Sequence, residues 1–233
     1  MYNMPKKHSS STALSKRVKA LEVKQKADDK NTERKVQYYR SPHSLSNSWG
    51  ANYGFALRTI QGVKGEGNTA AGETRIGNSI NLRSMAFKFR LDLYRNVDGV
   101  VAEPDSATVC RVLLVDNLTD DTGLTASDVL QEPGYGITSP YKNAVAGGKR
   151  YRVLMDKKVK LTGSQNPDAV WDFRMKLPKS GRVCHYNIST SSATYQNPSD
   201  MNISLIYYCT DISATSGNKP ILYMYNISRF EDC

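Results

Sequence analysis

The feature that most restricts this chain is a strict period of two in its hydrophobic residues. In SMAFKFRLDLY, residues 84–94, Met85, Phe87, Phe89, Leu91 and Leu93 fall on one side while Lys88, Arg90 and Asp92 fall on the other. An extended strand turns successive side chains to opposite faces, so such a run is a strand with one buried and one wet side. WDFRMKL repeats the pattern, with Trp171, Phe173, Met175 and Leu177 alternating with Asp172, Arg174 and Lys176. In RYRVLMDKKVKL (150–161), Tyr151, Val153, Met155, Val159 and Leu161 are read on one face, and Arg150, Arg152, Asp156, Lys158 and Lys160 on the other.

Three further runs, VCRVLLV (109–115), NISLIYYCT (202–210) and KPILYMYNI (219–227), are apolar on both faces. They read as strands covered on both sides or meeting a neighbour. Turn-rich stretches such as GVKGEGNTAAGE, NVDGVVAEPDS and EPGYGITSPYKNAVAGG separate the runs. The one convincing helix here is around TASDVLQ, where Thr125 caps and Asp128 sits in the first turn. Seven or eight strands with almost no helix make an all-β sandwich and exclude a βαβ fold.

Charge divides the chain differently. The whole carries a formal +10, and residues 1–40 alone hold eleven basic against four acidic side chains, a net of +7. The eleven are Lys6, Lys7, Lys16, Arg17, Lys19, Lys24, Lys26, Lys30, Arg34, Lys35 and Arg40. A tail that binds polyanions is built this way, so all eleven are candidate nucleic-acid contacts. Leu14, Val18 and Leu21 follow helical spacing, which predicts a short amphipathic helix over 14–26, while the Ser- and Lys-rich residues 1–12 are expected to be disordered until bound. The expected division is a basic arm, 1–45, and a sandwich domain, 46–233.

Chemistry is sparse. His8, His43 and His185 are isolated, and Cys110, Cys184, Cys209 and Cys233 are scattered, with no zinc spacing or disulfide framework. Gly77-Asn78-Ser79-Ile80-Asn81 lacks the last glycine of a nucleophile elbow, and Gly147-Gly148-Lys149-Arg150 lacks the P-loop hydroxyl. No catalytic residue, metal ligand or cofactor is assigned. Asp116, Asp120, Asp121 and Asp128 flank one loop, but their spacing matches no EF-hand, and a solvated acidic loop is the reading taken. No apolar run is long enough to span a membrane, and the N-terminus has no apolar signal core, so maturation in the cytosol or nucleus is expected. The sequons at Asn117, Asn187, Asn202 and Asn226 then read as accidents of composition.

Paired cations on alternate positions, Lys88 with Arg90, Arg150 with Arg152, Lys158 with Lys160 and Arg174 with Lys176, set two charges roughly 7 Å apart, close to the phosphate repeat of a nucleic-acid strand. Ordinary sheet faces with Asp partners explain them equally well. Of the aromatic residues 14 are tyrosines, and Tyr94, Tyr135, Tyr141, Tyr186 and Tyr195 lie near loops, which suits wide protein interfaces.

Three segments carry a family resemblance. TIQGVKGEGNTAAGETRIGNSINLRSMAFKFRL (59–91) resembles the opening of single jelly-roll capsid proteins of small viruses, with a strand ending in Gln-Gly, a polar loop, Arg-x-Gly-Asn and a long alternating strand. CRVLLVDNLTDDTGLTASDVLQ (110–131) is similar to that family's next strand, loop and short helix. GKRYRVLMDKKVKL (148–161) resembles its Lys-Arg-Phe-x-x-Leu-x-Asp segment, with Tyr151 in place of phenylalanine. The combination is similar to capsid proteins of circular Rep-encoding single-stranded DNA viruses and to the satellite tobacco necrosis virus type, over about residues 55–230. The arm matches in position and charge only, being richer in lysine and acids than arginine-dense circovirus arms.

The resemblance implies an eight-stranded antiparallel jelly roll, self-assembly into a small icosahedral shell of 60 copies, and an arm lying inside on a single-stranded genome, DNA being the expectation. It implies a structural protein without enzymatic activity, found in the virion and assembled in the host nucleus, with itself and viral nucleic acid as partners and no membrane. A non-viral single-stranded nucleic-acid-binding or lectin-like sandwich is the rival reading.

Overall fold

The computed structural model describes residues 15–23, 34–61, 74–93, 107–119, 122–142, 150–163, 165–187, 195–210 and 220–233. Its contacts divide the chain into two compact units, Met1–Glu33 and Arg34–Cys233. In the first, residues 15–23 form helix α1, as the spacing predicts, and every one of them is exposed, including Val18, Leu21 and Val23. Leu14 and residues 24–26, which complete the predicted helix, lie outside the described residues.

The second unit contains strands β1 (Arg34–Ser44), β2 (Gly50–Tyr53), β3 (Ile60–Gln61), β4 (Thr74–Arg75), β5 (Ser79–Asp92), β6 (Ala107–Asn117), β7 (Tyr151–Thr162), β8 (Asp168–Arg174), β9 (Arg182–His185), β10 (Asn202–Cys209) and β11 (Ile221–Asp232). The main strands form two antiparallel sheets, ordered β1-β11-β5-β8 and β2-β10-β6-β7. Taken in chain order, the eight strands fall in sheets one, two, one, two, two, one, two, one. That interleaving, with the first strand beside the last and the second beside the second-last, is the jelly roll. β9 extends the sheet edge: β5 pairs with β8 through Ala86–Asp92 and with β9 through Ser79–Leu82. Between them Gly181 takes φ +87, a left-handed turn that favours glycine.

The inner faces close on one core. Phe87, Phe89 and Leu91 of β5 and Met224 and Phe230 of β11 face Val112 and Leu114 of β6 and Leu205 of β10. Phe89 stacks on Trp171 at 5.2 Å between centroids. The alternation predicted for β5 and β8 is present residue by residue, because Lys88, Arg90, Asp172 and Arg174 are exposed while their neighbours are not.

The prediction for β7 fails at its middle. The β6–β7 register slips between Leu114 and Val115, pairing Leu114 with Met155 but Val115 with Val153, so Leu154 is bulged. A bulge shifts the pleat by one residue and exchanges the faces on either side. Met155, Val159 and Leu161 therefore pack on the inner core, whereas Tyr151 and Val153 pack on the opposite side of the sheet, in a second apolar cluster. The slip also brings Arg152 to Asp116, 2.8 Å away.

That second cluster roofs β6 and β10. Leu113, Val115 and Ile206 lie beneath Leu124, Ala126, Val129 and Leu130, contributed by the loop that carries α2 (Ala126–Val129) and a 3-10 turn (Pro133–Thr138). Thr125, read as the cap, and Asp128, read in the first turn, together form a capping box. The roof is pinned by polar groups as well. Arg111, 3% exposed in its side chain, grips Asp156 with Nε and Nη2 at 3.1 and 2.8 Å and donates from Nη1 to the carbonyl of Ser139 at 2.8 Å. Trp49 Nε1 donates to the carbonyl of Pro133 at 2.8 Å.

Candidate nucleic-acid interface

The eleven basic residues singled out in the first forty part company in the structure. Lys16, Arg17 and Lys19 stand together on α1, fully open to solvent. Lys6, Lys7, Lys24, Lys26 and Lys30 lie outside the described residues. Arg34, Lys35 and Arg40 belong to β1 and hence to the sandwich, so the structural division falls at Glu33/Arg34 where the sequence suggested 45/46. The reason is that RKVQYYRSPHS, although basic, pairs along its whole length with β11, from Arg34 opposite Glu231 to Ser44 opposite Ile221.

Two of the three β1 cations are engaged in holding that pairing. Lys35 is buried, with Nζ 2.5 Å from Asp232 and 3.3 Å from the carbonyl of Thr74, so it has no charge to offer a polyanion. Arg34 bonds Glu231 at 3.2 Å, and Arg83 reaches the other carboxylate oxygen of the same residue. Arg40 is different: it projects from the outer face of the β1-β11-β5-β8 sheet and makes no ion pair among the described residues.

That outer face places two kinds of side chain in register. Arg40, Tyr225, Lys88 and Asp172 form one cross-strand row, and Pro42, Tyr223, Arg90 and Val170 the next. Tyr38 lies in the row beyond, its ring 6.0 Å from that of Tyr225 and nearly parallel to it. A shallow hollow of about 630 Å³ runs across these rows, its lining including Arg40, Lys88, Arg90, Asp92, Tyr223 and Tyr225. Arg90 is steadied by Asp92, Nε to Oδ1 at 2.8 Å, whereas Lys88, like Arg40, makes no ion pair among the described residues. The sequence showed the Lys88/Arg90 pair. It also carried, unread, Tyr38 with Arg40 and Tyr223 with Tyr225 at alternate positions, but only the β1-β11-β5 pairing brings them together.

Of the other paired cations, Arg152 has a structural use. Arg152 and Arg182 both reach the buried Asp116, at 2.8 and 3.3 Å. Burial pushes the Asp116 carboxyl above its usual value, and the two guanidinium groups only partly offset this. Of the four aspartates flanking the acidic loop, Asp116 is committed to arginines and Asp128 to its helix cap, while Asp120 and Asp121 lie outside the described residues. Among the described residues no group of three metal-ligating side chains converges, and no helix is long and apolar enough to cross a membrane.

The loop tyrosines also separate. Tyr135 is 68% and Tyr195 39% exposed, as an interface requires, but Tyr186 is a core residue whose hydroxyl donates to the carbonyl of Leu57 at 2.7 Å. The Tyr186 ring supports the fully buried Arg75, 4.2 Å above it, which also donates to the carbonyl of Gly77 and to Gln196. The Arg75-x-Gly77-Asn78 motif is thus a structural clamp: Gly77, at φ +79, turns the chain back so that its carbonyl meets the guanidinium before β5 begins. Tyr141 is half-buried under the roof and Tyr94 is outside the described residues. Asn117, Asn202 and Asn226 are all buried, which closes three of the four sequons to glycosylation.

No family model matches this chain, and no curated protein does. Among solved structures it is similar to a chain of deformed wing virus carrying the GFP gene, 12% identical with a TM-score of 0.32, covering 81% of this chain and 74% of that one. A chain of sacbrood virus of honeybee is 9% identical with a TM-score of 0.32, covering 87% and 86%. One of infectious bursal disease virus, Gx strain, is 9% identical with a TM-score of 0.25, covering 86% and 41%. Scores this low do not establish a shared architecture; the strand order of the two sheets defines the jelly roll without them.

Proposed function

We propose that this chain is the coat protein of a small virus with a single-stranded genome, assembling with copies of itself into a closed icosahedral shell and packaging nucleic acid through its basic N-terminal arm. A jelly roll alone does not select this function, since the same fold serves lectins and other binding proteins. The observation that carries the reading is where the charge is concentrated: the unit Met1–Glu33, about a seventh of the chain, carries eight basic against four acidic side chains, +4 of the +10, and the first strand of the sandwich begins at the next residue. A cationic segment leading directly into the first strand of a jelly roll is a tether between a wall and a polyanion. The resemblance of 59–91, 110–131 and 148–161 to circular Rep-encoding single-stranded DNA virus capsid proteins favours a DNA genome and a shell of 60 copies. On this reading the protein resides in the virion, and assembly occurs in the host nucleus.

The arm acts without reading bases. Its lysines and arginines neutralise phosphates and release counterions, so binding weakens steeply with salt. Repetition over a shell makes weak contacts collectively strong. Negative-stain microscopy and sedimentation of the full chain test the reading: closed particles of uniform size are expected, and a monomer or small oligomer would overturn it in favour of a binding module. Deleting residues 1–33 should leave the sandwich folded and the particles empty; filled particles would remove the arm from packaging.

A further inference from the structure

We propose that the outer face of the β1-β11-β5-β8 sheet is a second nucleic-acid site, specific for single strands, in which Tyr38, Tyr223 and Tyr225 stack on unpaired bases while Arg40 and Lys88 hold phosphates. The inference rests on the reading above only in taking nucleic acid as partner, and it does not require a shell.

The first ground is β11. This central strand has Tyr223, Tyr225 and Ile227 on the side away from the core, and each is only half-buried, with no described element lying over it in the manner of the loop that roofs β6 and β10. Apolar and aromatic area in the middle of an open sheet face marks a contact surface. The second ground is charge. Arg34, Lys35, Arg83, Arg111, Arg152 and Arg182 each have a carboxylate partner, and on this face so does Arg90, held by Asp92 and 4.0 Å from Asp168, whereas Arg40 and Lys88 are among the exposed cations with none among the described residues. These two flank Tyr225 on either side in a single cross-strand row.

The third ground is spacing. Neighbouring strands lie about 4.8 Å apart, and residues on the same face of one strand roughly 7 Å apart, which is the interval between nucleotides of an extended single strand. Tyr223 and Tyr225 thus offer rings at successive nucleotide positions, with Lys88 and Arg40 on either side of Tyr225. Stacking platforms flanked by cations bind single strands with little regard to sequence, because every base has a face to stack and a duplex hides it. The acids Asp92, Asp168 and Asp172 lie toward the far end and the β8 edge of the face, an edge that also carries the exposed Arg174. Like charge disfavours the chain's own arm, at net +4 over residues 1–33, as the occupant.

Photo-crosslinking of the full chain to oligo(dT) carrying 5-iodouracil, with adducts mapped by mass spectrometry, tests the site. Adducts on the peptides bearing Tyr38, Tyr223 or Tyr225 are expected, and should vanish when the same base is placed in a duplex. The double variant Arg40→Gln/Lys88→Gln removes two exposed, unpaired cations. It should lower the crosslink yield at these tyrosines several-fold and reduce the log–log salt slope of oligo(dT) binding by about 1.4, at about 0.7 per phosphate contact. Adducts confined to residues 1–33, with an unchanged slope in the variant, would overturn this site and leave arm packaging standing. No adducts anywhere would overturn both, and equal adducts with duplex would overturn the stacking.

Discussion

The two sheets of this jelly roll share one core but differ on their outer faces. Outside β6 and β10, Leu113, Val115 and Ile206 are buried under the loop 122–142, which Arg111, Trp49 and Tyr151 tie down. Outside β5 and β11, the tyrosines and cations of the other sheet meet solvent. A strand therefore reads as apolar on both faces for two different reasons. In β6 a roof is present; in β11 the outward apolar side chains remain partly open to solvent. The difference teaches that hydrophobic patterning on both faces of a strand does not by itself say whether the subunit covers the second face.

If the roof is as integral to stability as the core, its removal must cost accordingly. Leu113→Ala, under the roof, should lose about 2–5 kcal/mol in urea melts, the range for a fully buried leucine. A loss near zero would show the roof to be a loose flap and erase the contrast between the sheets. Arg111→Ala should cost about 3 kcal/mol, at the low end for breaking a buried pair, because Asp156 keeps 26% of its side chain exposed and can rehydrate.

Acid sharpens the same point. Burial works to raise the Asp156 carboxyl, but the bonds from Arg111 and Tyr141 outweigh it and hold the group below its usual 3.8. A carboxyl depressed in the folded state contributes stability that is complete above the unfolded value and lost as pH falls toward the folded one. Asp156→Asn should thus be less stable at neutral pH yet lose less on further acidification, which thermal melts between about pH 2 and 6 would resolve. Asp116 works in the opposite sense. Its raised value favours the protonated form in the fold, so its contribution declines as pH rises above 3.8, and Asp116→Asn should flatten that part of the profile.

The smallest stability effect belongs to the open face. Lys88→Ala should change stability by no more than about 0.5 kcal/mol, the usual bound for exposed positions, whatever it does to nucleic-acid binding. A large destabilisation there would mean that the cation serves the sheet and is not held for a ligand.

Much of the fold was legible because alternation is local. Lys88, Arg90, Asp172 and Arg174 can be assigned to the wet side from their neighbours alone, and so can the cap at Thr125. The reading broke where the cause was a partner strand: nothing in RYRVLMDKKVKL announces that Leu154 is bulged, since the slip is defined by pairing with β6. The site was legible in part. The basic excess of the first forty residues stood out, but Lys35 counted there is a buried strut, and Arg40 belongs with Lys88 and Tyr225, far from it in the chain.

By itself the sequence determined that this chain is made of half-buried strands behind a cationic N-terminal segment, because period and charge density are properties of neighbouring residues. Only the tertiary structure decided which strand lies beside which, where the basic segment ends and the sandwich begins, and which cations are left unpaired. Pairing partners are separated by up to the full length of the domain, Arg34 by Glu231 for instance, and hydrogen-bond register and ion pairing across such distances are settled only when the sheets close.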